Sequence, residues 1–90
     1  ESMTEKQLLE KVKTALNITG EFQDNTLLLY IQEVQSYLLS AGVSKKTVQS
    51  EKAVGVITRG VADLWQYGSG STNFSSYFLQ RAIQLCYERG

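Results

Sequence analysis

From Asp24 to Gly42 the chain passes through seventeen residues of which only Glu33 is charged. Apolar side chains recur at Leu27, Leu28, Tyr30, Ile31, Val34, Tyr37, Leu38 and Ala41, the spacing of an α-helix. Asp24 is a suitable N-cap for that helix, and Gly42 suits the left-handed position that closes one. The stripe is wider than a single buried face needs. The helix is therefore expected to lie against more than one neighbour, some of them in other subunits, and the rest of the chain has to surround it.

The remaining pattern is helical as well. Thr4 and Gln7 have the spacing of a capping box, followed by Leu8, Leu9, Val12, Ala15 and Leu16 on one face. Lys6, Glu10, Lys11 and Lys13 occupy the other side, and the helix should end near Asn17. Val43 to Gln49 reads as a connector. A third helix is predicted from near Ser50 to Gly68, burying Val54, Ile57, Val61, Leu64 and Trp65. Gly55 and Gly60 lie inside it, each costing about 1 kcal/mol relative to alanine, and glycines so placed often mark the close approach of another backbone. After the Ser/Gly-rich loop Gly68–Asn73, a last helix from Phe74 or Ser75 to Glu88 should bury Phe78, Leu79, Ala82, Ile83 and Cys86. There is no proline and no useful period-two alternation. The expected fold is all-α: a single small domain of about four helices, antiparallel and bundle-like, over residues 4–90. Glu1-Ser2 reads as a remnant of expression and Met3 as the native start.

Ninety residues support one modest core, and a chain of this size often gains from oligomerisation. With 42% hydrophobic and 20% charged residues it is neither a disordered tail nor a membrane span. Nine basic residues balance nine acidic ones, whereas nucleic-acid binders usually carry a basic excess that neutralises phosphate. Cys86 is the single cysteine, so no intrachain disulfide forms and a reducing, intracellular setting is expected. In that setting the glycosylation patterns at Asn17 and Asn73 are idle.

Histidine is absent, which removes His-activated nucleophiles and His-bearing metal sites. The carboxylates are scattered among lysines, and Arg59 is spaced to pair with Asp63 one turn on. The Gly68–Ser71 segment lacks the lysine of a phosphate-cradling loop. No enzyme, cofactor or metal is expected. Of the aromatics, Trp65, Phe78 and Phe22 stand at core spacing. Tyr30 and Tyr37 share one helix flank, and Tyr67, Tyr77 and Tyr87 lie near helix ends, where a wet edge suits an interface or half-buried packing equally.

One stretch supports two readings. Ala41-Gly42-Val43-Ser44-Lys45-Lys46-Thr47-Val48 resembles the turn of a repressor-type helix-turn-helix. Ser44 would cap a recognition helix, and Lys45, Lys46, Thr47 and Gln49 would face phosphates and bases. Zero net charge, the length of the preceding helix and the need for a break near Ser50 count against it. This DNA-binding regulator is the alternative reading.

The whole pattern from Glu5 to Arg89 resembles the small head–tail connector proteins of tailed bacteriophages and prophages. Leu8–Thr19 is similar to their opening helix, Phe22-Gln23-Asp24 to the acidic turn after it, and Tyr37–Val43 to their alanine-glycine helix exit. Ala53–Ile57 through Leu64–Gly68 resembles their third helix and glycine stop, and Phe74–Ala82 their closing helix. The chain departs from the pattern at Gln49-Ser50-Glu51, where an Asp-Pro step is common, and in the loop after Gly68, where aspartates are more usual.

The resemblance implies a non-enzymatic subunit of a ring at the portal vertex of the virion. Its partners would be other copies of itself, the portal protein and a downstream tail-joining protein, with DNA passing through the channel and no membrane involved. Candidate contacts with subunit or portal are Tyr30, Glu33, Tyr37, Arg59, Asp63 and the loop Gly68, Ser69, Gly70, Ser71, Thr72, Asn73. Lys45 and Lys46 are expected to face either a neighbour or the channel.

Overall fold

The computed structural model describes residues 3–67 and 76–87, with Tyr67 and Tyr77 described by their backbone alone. Five helices lie within these residues: α1 Glu5–Ala15, α2 Asp24–Ser40, α3 Lys45–Val48, α4 Val54–Tyr67 and α5 Ser76–Cys86. A single 3-10 turn, Glu51–Ala53, leads into α4, and no strand occurs among the described residues. The fold is all-α, as the spacing of apolar residues requires. It has one helix more than the four expected, because the connector after Gly42 coils into α3.

Local hydrogen bonds explain most of the boundaries. Thr4 and Gln7 form the full capping box: Thr4 Oγ1 accepts from the Gln7 backbone N–H at 3.1 Å, and Gln7 Oε1 accepts from the Thr4 N–H at 3.0 Å. Both α1 and α2 close in the same way. At the end of α1, Asn17 takes a left-handed φ of 63°, the Ile18 N–H reaches the Lys13 carbonyl, and the Asn17 N–H reaches that of Thr14. At the end of α2, Gly42 takes φ 107°, the Val43 N–H reaches Leu38, and the Gly42 N–H reaches Leu39. Each is a Schellman closure, and each satisfies carbonyls that a helix end would otherwise leave bare. Ser44 then caps α3 by accepting from the Thr47 N–H at 3.1 Å.

The beginning of α2 departs from expectation. Gln23 occupies the cap without a side-chain bond, and Asp24 is the first helical residue. Its carboxylate turns to Lys13 instead, 2.7 Å from the ammonium. Lys13, expected on the wet side of α1, is thereby drawn into the structure and buried, donating also to the Gly20 carbonyl. Hydrogen bonding to the Asp24 carboxylate holds the Lys13 pKa above its ordinary value, although burial acts the other way.

The core joins Leu8, Leu9 and Val12 of α1, Leu27, Ile31, Val34 and Leu38 of α2, and Val56, Ile57, Val61 and Leu64 of α4 to Phe78, Ala82 and Leu85 of α5. Helices α2 and α4 pack on each other at the centre: α4 also meets α1 and α5, and α2 also meets α1 and α3. Tyr30 of α2 meets Trp65 near the end of α4, while Val34 meets Gly60, so the two helices run antiparallel. Gly60 is the tight point. A Cβ there would stand 2.7 Å from Phe78 Cε1 and 2.9 Å from both Val34 methyls. The close approach predicted for the α4 glycines is real at Gly60, although side chains rather than backbone make it. At Gly55 a Cβ would meet nothing within 4 Å.

Candidate assembly surface

The flank of α2 that carries Tyr30 and Tyr37 is built from ring contacts. Tyr30 is half-buried and stands edge-on to Trp65, with centroids 6.1 Å apart and planes at 82°. Two helical turns further along, Tyr37 leans against Phe78 at 5.7 Å and 49°. Seven residues of helix bring both tyrosines round to the same side, so one pairs with α4 and the other with α5. Each keeps part of its surface in solvent. Glu33 lies between them in sequence and is exposed, as is Arg59 on α4, whereas Asp63 is half-buried.

Lys45 and Lys46 are elsewhere. They are exposed on α3, at the end of α2 opposite Tyr30. Thr47, which a DNA-reading helix would aim outwards, is fully buried, and Val48 is buried beside it. A helix of four residues with half its side chains in the core presents only its two lysines. The loop Gly68, Ser69, Gly70, Ser71, Thr72, Asn73 and the side chains of Tyr67 and Tyr77 lie outside the described residues.

Several apolar groups expected inside are at the surface. Phe22 is 95% exposed on the turn between α1 and α2, and Trp65 is 39% exposed despite its contact with Tyr30. On α5 the buried face is Phe78, Ala82 and Leu85, which leaves Leu79 partly exposed and Ile83 59% exposed. Among the described residues, α5 is covered on one side, by α4 and the end of α2. Cys86, expected to be buried, is half-buried, its Sγ 3.4 Å from the Ala41 carbonyl. Leu29 and Leu39 are also exposed on α2. Their signal was present in the sequence, since both fall off the stripe that defines the buried face.

Among the described residues no group of three or more Cys, Asp or Glu side chains could hold a metal, and no helix is long and apolar enough to cross a membrane. The chain is thus a small all-helical domain with one core and a surface carrying apolar and aromatic groups. It belongs to the family described as Phage gp6-like head-tail connector protein, whose model matches residues 6–84. No curated protein and no solved structure matches the chain. Membership makes it a structural connector protein of the bacteriophage head–tail class.

Proposed function

We propose that this chain is a non-enzymatic subunit of a homo-oligomeric ring at the head–tail junction of a phage or prophage virion. The ring lies under the portal, extends the DNA channel and offers a platform to the next tail-joining protein. Family membership over residues 6–84 carries this reading. The surface supports it: Phe22, Trp65, Ile83 and Tyr87 remain exposed in the single chain, and exposed apolar groups of this size are the material of protein contacts. Contacts with neighbouring copies and with the portal fall on Tyr30, Glu33, Tyr37, Arg59, Asp63 and the loop from Gly68 to Asn73. Zero net charge suits a channel wall that lets DNA pass without holding it.

The test combines sizing with DNA titration. Light scattering on the purified chain should show a closed oligomer of fixed stoichiometry, and duplex DNA at moderate salt should bind weakly and lose affinity as salt rises. A dimer that binds one DNA sequence tightly would overturn the connector reading.

A further inference from the structure

The groove between α1 and the start of α2 is open to solvent and has a volume of about 360 Å³. Leu9 and Leu28 give it an apolar floor, and Glu5, Glu10 and Glu21 stand around them with Lys6. Asp24 lines it too, but that carboxylate is already matched by Lys13. Three carboxylates against one ammonium leave this rim negative, in a chain whose net charge is zero. Glu5 accepts a hydrogen bond from the Gln32 amide at 3.0 Å. Glu10 and Glu21 are exposed, and among the described residues neither side chain has a hydrogen-bond or ion-pair partner.

The turn that carries Glu21 is braced from below. Asn17 and Gly20 both adopt left-handed φ, of 63° and 79°. The buried Lys13 ammonium donates to the Gly20 carbonyl and to the Asp24 carboxylate, tying the two ends of the turn together. Little ordering therefore remains to be done when this edge of the groove is covered. The negative field reaches into the turn as well: after the hydrogen bond to Asp24, the charges of Asp24, Glu10 and Glu21 help to raise the Lys13 pKa. Phe22, next in the chain to Glu21, is 95% exposed and adds an aromatic ring to this edge.

We propose that this groove docks a basic, amphipathic segment of another protein at the head–tail junction, one in which lysine or arginine flanks an apolar side chain. The apolar side chain covers Leu9 and Leu28, and the cations face Glu10 and Glu21. Opposite charge around an apolar centre gives a protein contact both its steering and its burial. The lysine pair and Arg81 of a second copy match the groove poorly. Lys45 and Lys46 project from a four-residue helix whose other two residues, Thr47 and Val48, are buried. On α5 the exposed Leu79 and Ile83 each stand two residues from Arg81. That is about 200° around a helix of 3.6 residues per turn, so the cation and the apolar groups face apart. The inference rests on the connector reading, which supplies the partner proteins, and does not depend on a closed ring.

Magnetic-resonance titration of the isotopically labelled full chain tests it, with a synthetic amphipathic helical peptide of leucine and lysine as the probe. The amide signals of Leu9, Glu10, Glu21, Phe22 and Leu28 should move together, and the affinity should fall as salt is raised. Glu10→Gln with Glu21→Gln should weaken binding roughly threefold to tenfold, the scale of two exposed ion pairs, and leave the thermal melt unchanged. The salt series needs no variant, so it decides the role of charge even if the double substitution unfolds the chain. A peptide of leucine and glutamate should leave these signals still, and one of serine and lysine should bind more weakly than the probe. Shifts confined to another face, or an affinity indifferent to salt, overturn the site. Equal binding of the serine peptide reduces the contact to charge attraction and overturns it too. If unlabelled chain alone moves the same signals, the occupant is a second copy and the separate partner is overturned. A chain that stays monomeric on sizing yet binds the probe removes the ring and keeps the groove.

Discussion

The two glycines inside α4 have opposite meanings for stability. Gly60 lies where a Cβ would strike the ring of the fully buried Phe78 and both Val34 methyls. Gly60→Ala should therefore destabilise the domain by about 1–3 kcal/mol through overpacking, a cost only partly offset by better helix propensity. Gly55→Ala, with nothing within 4 Å, should stabilise it by about 0.5–1 kcal/mol. Urea titrations of the two variants should move the midpoint in opposite directions. Lys13 makes a different kind of prediction. Its folded pKa is raised by the Asp24 hydrogen bond, so its contribution is fully present below the ordinary lysine pKa and is lost as pH rises through the folded value. Lys13→Met should lower the melting temperature at neutral pH, and the gap from wild type should narrow above about pH 10.5. A gap that stays constant into the alkaline range would assign the effect to packing of the lysine stem.

Helix ends were more legible than helix faces. The capping box at Thr4 and the closure at Gly42 are visible in the residues because each is completed within a few positions of sequence. Thr4→Ala should accordingly cost about 1 kcal/mol, measured by thermal melting with the helical signal at 222 nm. The short α3 was hidden for the opposite reason. Its four residues contain too little apolar periodicity to separate a turn of helix from a connector, although Ser44 marked its cap. Asp24 shows how a distant partner overrides a local preference: a good capping residue gave up that role to pair with Lys13, eleven positions earlier. On α5, spacing alone could not choose between Phe78, Ala82, Leu85 and the adjacent stripe Leu79, Ile83, since both are apolar at helical intervals.

At the scale of the molecule, three helices depend on one side chain. Phe78 is fully buried, touches Tyr37 of α2 and closes over Gly60 of α4. Phe78→Ala should cost about 3–5 kcal/mol, a large part of the stability of a 90-residue domain. The expected result is a chain that keeps much of its far-UV signal and loses near-UV structure as α5 comes loose. The helical class and the C-terminal closures of α1 and α2 were determined by the sequence, because propensity and capping are local properties. Which apolar groups are buried was decided by the tertiary structure, because that depends on how many neighbours each helix finds. Among the described residues, α5 finds cover on one side, and the turn after α1 leaves Phe22 exposed.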